Sequence, residues 1–461
     1  MKFSLSRTKV DMVGGPIFKG ILQVAVPIMI MNIMQILFNA ADIAVLGILV
    51  NDTAVAAVGT NGALINLITG LFIGMAAGVN VVVARNIGKK DQSAVERTIG
   101  TSLLFALVGG LFILITGNIF AKVFLTWMNC DPNVIDLAAK YLRIYFLGMP
   151  IMFVYNFCAQ ILRAKGDSIR PLIYIMIGGV VNVILNVVFV VVFDTDVEGV
   201  AIATIIAQLI SAVLSVIELL NDKEGVSLKL KHLRFYKREL IEVLKVGVPS
   251  GIQSSLFALS NVLIQSSVNA MGESAMTGIS IANQYDGVIY NICNAPALAM
   301  LSFVSQNYGA NNPERVKKSI YASISMSLLF GFSMGLVFCI FSSPLCYIMT
   351  NSAEVVRLAQ SKLIPLCSTY FLCGIMEALS FSLRGLGKSL LSMIITLVFS
   401  CFVRILWVIL IFPLNRTVFF LSIIWPITWV LTIICFIPFL VKTFKAFKKK
   451  ASEELAIKQE N

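Results

Sequence analysis

Twelve apolar runs, each long enough to cross a bilayer, follow one another along this chain of 461 residues. They lie near 20–48, 54–84, 99–128, 134–162, 169–193, 198–220, 241–271, 275–305, 317–349, 357–383, 389–413 and 417–441. Each meets the roughly 20 residues that a helix needs to span hydrocarbon. Inside a bilayer every backbone polar group must be satisfied within its own segment or a closed barrel, and these runs lack the alternation of barrel strands. Charged residues make up only 13% of the chain, about half the share of a soluble domain. The chain therefore reads as an all-α polytopic membrane protein with 12 transmembrane helices. Lys2, Arg7, Lys9 and Lys19 precede a first span too long for a signal peptide, so no cleavable leader is expected.

The charges between spans set the orientation. With an even number of spans, one face receives the N-terminal cluster, Arg85, Lys89, Lys90, Arg97, Arg163, Lys165 and Arg170. The Lys223–Arg238 connector, Arg315, Lys317, Lys318, Arg384, Lys388 and the Lys442–Lys450 tail fall on that face too. The opposite face receives short turns holding Asp131, Asp194, Asp196, Glu198, Glu273 and Glu354, with Lys122, Lys140, Arg143, Arg357, Lys362 and Arg416 as basic exceptions. The positive-inside rule then places both termini in the cytoplasm of a multi-pass plasma (inner) membrane protein. The net charge of +12 flanks spans and faces anionic headgroups, which gives no reason to expect nucleic acid.

Residues 221–238 are the one long polar break, and the halves on either side resemble each other. VAVP ending at Pro27 returns as VGVP ending at Pro249. Arg85-Asn86-Ile87-Gly88 returns as Gln306-Asn307-Tyr308-Gly309, and Arg163-Ala164-Lys165-Gly166 as Arg384-Gly385-Leu386-Gly387. The last two pairs share one spacing, and the proline pair departs from it by a single position. The expected organisation is an N-terminal six-helix lobe at 1–220, a basic connector at 221–238, a C-terminal six-helix lobe at 239–441 and a tail at 442–461. Each half has an even number of spans, so the copies share one orientation. Parallel repeats of this kind are a transporter architecture, with the substrate site near the midplane.

The same landmarks resemble a known family. The helix PIMIMNIMQILFNAAD over 27–42, the Ala84–Gly88 end of the second span, Leu162–Gly166 with Pro171, and Gly199–Thr204 opening the sixth span match it in order and spacing. The chain is similar to the multidrug and toxic compound extrusion (MATE) transporters, in their bacterial DinF/MepA-like branch. That resemblance implies two pseudo-symmetric lobes in a V, alternating between inward and outward openings. It implies an antiporter that exports organic compounds in exchange for H⁺ or Na⁺, acts as a monomer and uses no cofactor beyond the coupling ion. Lipid-linked precursor flippases of the wider superfamily are the alternative.

Charge inside a span costs several kcal/mol, so each surviving ionisable residue is a functional candidate. Asp42 is the leading one: it lies within the first span among Ala40, Ala41, Ile43 and Ala44. A carboxylate there takes up a proton or holds a cation, and either makes it a coupling-ion site. The resemblance adds Asn156 and Tyr141 on the fourth span, Asn182 and Asn186 on the fifth, and Thr204 on the sixth. Asn182 and Asn186 are four apart and share a helix face, and amide and carboxylate oxygens suit a hard cation. Family members often carry Asp at the position of Asn186; the amide leaves one carboxylate and favours H⁺. A single mid-span Asn bonds a neighbouring helix for about 0.6–2 kcal/mol, so the cluster matters more than any one amide.

In the second half, Glu377 lies inside the tenth span and Arg404 inside the eleventh. Either charge alone is costly there, so an ion pair between them is expected. Gln35 and Asp286 are candidates for a cleft wall, and Asp286 is also an alternative partner for Arg404. His232, the only histidine, falls in the connector and reads as solvated. The nine cysteines are scattered without a CxxC, which implies neither a metal site nor disulfides. No Walker A sequence and no catalytic constellation is present, so the chain is not read as an ATPase or an enzyme. The expected partners are small drug-like, amphipathic and cationic substrates and membrane lipids, with no obligate protein partner.

Overall fold

A computed structural model describes residues 9–128, 130–132, 134–223 and 225–460. Lys2 and Arg7 of the N-terminal cluster, Glu224 of the connector and Asn461 of the tail lie outside them. The described residues are helical almost throughout. The first half holds α1 (Ile17–Leu49), α2 (Asp52–Gly88), α3 (Gln92–Trp127), α4 (Ile135–Leu147), α5 (Met149–Lys165), α6 (Ile169–Val191) and α7 (Val197–Asn221). The second holds α8 (Lys237–Asn269), α9 (Glu273–Gly309), α10 (Pro313–Ile340), α11 (Ser342–Met349), α12 (Ala353–Cys367) and α13 (Tyr370–Gly385). It ends with α14 (Ser389–Thr396), α15 (Val403–Leu406), α16 (Val418–Ser422) and α17 (Ile424–Glu460).

Nine stretches of the described residues are long and apolar enough to cross a membrane, and two bent pairs, α4–α5 and α12–α13, bring the number to eleven. Each pair is bent by 49°. At the first break stands Gly148 with Pro150 just inside α5. Near the second, Pro365 removes a backbone donor, and the Thr369 hydroxyl donates to the Pro365 carbonyl at 2.7 Å. The twelfth span is α8, 33 residues long but diluted by Ser250, Gln253, Ser254, Ser255, Ser260 and Asn261. The chain is an all-helical, multi-pass membrane protein with twelve spans.

The duplication is written into the backbone. Lys90 (φ 60°) and Asn311 (φ 53°) are separated by the same interval as Gly166 (φ 99°) and Gly387 (φ 79°). Left-handed residues at these places turn the chain sharply after a helix. Asp91 caps α3 by accepting from the Ala94 N–H at 3.0 Å, and Asn312 caps α10 by accepting from the Arg315 N–H at 3.1 Å. Close helix crossings repeat as well. A Cβ on Gly110 would lie 2.3 Å from Pro150 Cα, and one on Gly331 would lie 2.6 Å from Phe371 Cα. Both crossings bring backbones together where no side chain intervenes, the way membrane helices gain packing without a hydrophobic driving force.

Packing divides the chain into two compact units. One comprises Ile30–Gly247 with the short stretch ending at Val10, and the other comprises Asp11–Met29 with Val248–Asn461. The boundaries therefore differ from a division at the connector. They run through α1 and α8, within a few residues of Pro27 and Pro249. In the first unit, α2, α3 and α5 pack together, and α7 packs on α5 and α6. In the second, α9 is central, flanked by α10, α12 and α13, with α17 against α13.

The connector docks on the first unit. Gly100 lets the His232 carbonyl reach α3, Thr101 donates to the Arg234 carbonyl at 3.1 Å, and Arg97 pairs with Glu239 at 2.7 Å. His232 is not freely solvated: its ring nitrogens face the Tyr236 hydroxyl at 2.6 Å and Glu96 at 3.5 Å.

Candidate functional site

The polar cluster of the first unit forms where α6 approaches α1 and α7 closely, and the glycine pair Gly178-Gly179 makes that approach. A Cβ on Gly179 would fall 1.9 Å from the Phe38 ring of α1, and one on Gly178 would lie 2.6 Å from the Ala207 carbonyl of α7. Phe38 stands one helical turn before Asp42, and Gly178 and Gly179 one turn before Asn182 and its neighbour. The close approach therefore delivers Asn182 and Asn186 to the half-buried Asp42. Asn186 Nδ2 donates to Asp42 Oδ1 at 2.5 Å, and Asn182 Nδ2 donates to Thr204 Oγ1 at 3.3 Å. Asn186 Nδ2 also lies 3.5 Å from Asn182 Oδ1, at the limit of a hydrogen bond. The Thr204 hydroxyl donates to its own helix, to the Val200 carbonyl at 2.9 Å.

Both amides are buried, and Asn186 Oδ1 has no donor among the described residues. A buried carbonyl without a partner costs about 1–3 kcal/mol, and here it sits beside a carboxylate in a bilayer. The cluster thus offers the Asp42 carboxylate, two amide carbonyls and the Thr204 hydroxyl as oxygen ligands. That set fits a proton on Asp42, or a small hard cation once the amides turn their oxygens inward. Tyr141 and Tyr145 of α4 stack with ring centroids 6.0 Å apart, within range of the Asp42 charge.

Not every expected residue joins this cluster. Asn156, on α5, turns its amide back to the Met152 carbonyl of its own helix at 2.8 Å. Gln35 is half-buried on α1 and makes no polar contact among the described residues.

The second unit corrects the expected ion pair. Glu377 and Arg404 are both buried, yet they do not touch. Glu377 lies 3.5 Å from the Tyr290 hydroxyl, which donates to it and accepts from Asn294 at 3.2 Å. Its neighbouring cation is Arg384, two turns on along α13, and Arg404 is farther off. Arg404 Nε instead donates to Thr428 Oγ1 at 3.1 Å, with the guanidinium 5.4 Å from the Trp425 ring and 5.8 Å from Phe257. The segments Leu397–Phe402 and Trp407–Ile411 on either side of α15 are π-helical. Asp286 is hydrogen-bonded by the Tyr370 hydroxyl and makes no ion pair with Arg404.

Sequence reasoning missed Lys362, which it placed at a membrane face. Lys362 is 5% exposed. Its ammonium donates to Asn283 Oδ1 and lies 5.3 Å from the Trp425 ring.

With these sites described, comparison with known proteins decides the family. The family described as MatE matches residues 27–188 and again 249–410, two copies of equal length. The chain belongs to the MatE family. Three relatives match over most of their length. The probable multidrug resistance protein YoeA of Bacillus subtilis is 26% identical over 379 residues, 81% of this chain and 82% of that protein. The probable multidrug resistance protein NorM of Thermotoga maritima is 24% identical, covering 86% of each chain. A protein of Shewanella oneidensis named FAD transporter is 23% identical, covering 84% of this chain and 86% of that one. A solved structure described as the outward-facing conformation of a multidrug resistance MATE family transporter superposes with TM-score 0.88. It is 22% identical and covers 95% of this chain and 98% of that chain. The MatE fold therefore carries over to this chain. The two matches and the turn residues within them place Arg404 opposite Asn182 or its neighbour Val183, and the apolar Leu263 or Ile264 opposite Asp42.

Proposed function

We propose that this MatE transporter is a secondary antiporter that exports amphipathic organic compounds, with cations the expected class, in exchange for a coupling ion held at Asp42. The observation that carries the reading is the half-buried Asp42 carboxylate, whose hydrogen-bond partner is the buried amide of Asn186. Asn182 and Thr204 continue the cluster. Loading and release of a cation there changes the charge of the first unit by one, which an alternating-access cycle can use to bias its two openings. A lone carboxylate, with an amide where a second acid would strengthen a Na⁺ site, favours the proton.

The protein sits in the plasma membrane with both ends in the cytoplasm, following its basic face. It works as a monomer. The two lobes divide as 1–220 and 239–441 in sequence, joined by the 221–238 connector. The test is efflux of a fluorescent organic cation from energised vesicles with H⁺ and Na⁺ gradients imposed separately. Efflux that follows the proton gradient is expected, and efflux indifferent to both gradients refutes antiport.

A further inference from the structure

Asn182 bonds Thr204 in the first unit, and Arg404 bonds Thr428 in the second. Arg404 stands within one residue of the repeat position of Asn182, and Thr428 follows Arg404 by nearly the interval at which Thr204 follows Asn182. The two slots are thus built alike and filled differently. Where the first copy has an amide near a carboxylate, the second has a guanidinium, and the place of Asp42 is taken by the apolar Leu263 or Ile264.

Arg404 shares its surroundings with a second buried cation. Lys362 Nζ and the Arg404 guanidinium lie 5.3 and 5.4 Å from the centre of one indole, that of Trp425. Both side chains are at least nine-tenths buried. Lys362 is bonded to the neutral Asn283. Arg404 is bonded to Thr428 through Nε, and its terminal nitrogens find no acceptor among the described residues. The acids facing them are Asp286, hydrogen-bonded by Tyr370, and Glu377, which lies nearer to Arg384. Both acids thus have other partners, and among the described residues no carboxylate lies within ion-pair distance of Lys362 or Arg404. Guanidinium donors that make no hydrogen bond within the protein are open to an acceptor from outside it. A planar oxyanion group is the partner that a guanidinium fork and an ammonium share.

We infer that Lys362 and Arg404, bracketing Trp425, form a binding site in the second unit for an oxyanion group, a carboxylate or phosphate carried on an apolar or aromatic molecule. The group accepts from the Arg404 terminal nitrogens, with the Lys362 ammonium adding its charge beside the same indole, and lays its apolar body along that ring. The source is a transported solute or an anionic lipid headgroup. Assigning it as cargo rests on the transport reading, whereas the binding does not. Carboxylate-bearing and zwitterionic amphiphiles thereby join the cations as substrates.

The test uses the full chain in phosphatidylcholine nanodiscs and equilibrium dialysis with 1-naphthyl phosphate, 1-naphthoate and 1-naphthylmethylammonium. Both anions are expected to bind at least about tenfold more tightly than the cation, and Lys362→Gln and Arg404→Gln each to lose about tenfold. Arg404→Lys keeps the charge but not the fork, and should lose less binding than Arg404→Gln. Asp42→Asn should bind the anions normally, so failure of the transport reading leaves this result standing, and the reverse. Competition by phosphatidylglycerol in the nanodisc identifies a lipid source, and its absence a solute source. Equal binding of anion and cation, no binding of any probe, or unchanged binding in Gln variants that unfold at the wild-type temperature overturns the inference.

Discussion

The two repeated glycine crossings give the sharpest structural prediction. In Gly331→Ala the new methyl group would lie 2.6 Å from Phe371 Cα, and in Gly110→Ala it would lie 2.3 Å from Pro150 Cα. Carbon atoms rest roughly 3.5–4.0 Å apart, and both obstacles are backbone that no rotamer change removes. The helices must part by about 1 Å, forfeiting contacts along the crossing, which costs about 1–3 kcal/mol. Replacing a helical glycine by alanine also gains about 0.8–1 kcal/mol of helix propensity, which masks part of the loss. Gly287→Ala isolates that gain, because a Cβ there meets nothing within 4 Å. Gly331→Ala should thus be less stable than Gly287→Ala by about 1–3 kcal/mol, and Gly110→Ala likewise. Equilibrium unfolding in mixed micelles of rising sodium dodecyl sulfate content, followed by circular dichroism, measures the difference. Crossing variants as stable as Gly287→Ala would refute the idea that backbone contact sets these interfaces.

Two further perturbations probe the ends of the spans. Lys165 and Asp222, at the ends of α5 and α7, form an ion pair with side chains 3% and 1% exposed; Asp222→Ala should cost about 1–3 kcal/mol by removing a buried charged acceptor, read as a lower unfolding temperature in detergent. Asp91→Ala, at the N-terminus of α3, should cost about 1 kcal/mol through the lost cap. The Ala94 N–H, then the Ser93 hydroxyl, hold the Asp91 carboxyl below its ordinary value of 3.8. Its contribution is therefore complete above that value and disappears as pH falls through the lower folded one. Unfolding scans between neutral and strongly acidic pH should show that loss in the parent chain and not in Asp91→Ala.

Much of this molecule is legible in the sequence because membrane spans and duplication leave long-range marks. Apolar length exposes a span, and the Arg163 and Arg384 turns expose the repeat. A four-residue spacing puts Asn182 and Asn186 on one helix face, while the family resemblance is what groups them with Asp42 and Thr204. Lateral contacts are harder. Asn156 lies on a span of the right lobe, yet its rotation returns its amide to Met152, and no spacing rule records helix rotation. The Glu377–Arg404 pair fails because Arg404 bonds Thr428 and Glu377 meets Tyr290, choices among buried partners that no spacing records. Lys362 looks exposed in the sequence because it stands near a span end. What buries it is the indole of Trp425 and the amide of Asn283, contributed by residues far away in sequence. Length alone reveals α8, although its serines and amides make it the least apolar span.

The central claim is that Asp42 holds the coupling ion, and the most direct measurement is gradient-driven exchange by the purified protein in liposomes. Wild type and Asp42→Asn would be compared under an imposed proton gradient, an imposed Na⁺ gradient and neither. Wild type is predicted to move a fluorescent cation against its own gradient only when the proton gradient is present. Asp42→Asn, whose amide neither takes up a proton nor carries charge, should allow no uphill transport under any gradient while unfolding near the wild-type temperature. Uphill transport by Asp42→Asn at the wild-type rate would contradict a coupling role for this carboxylate.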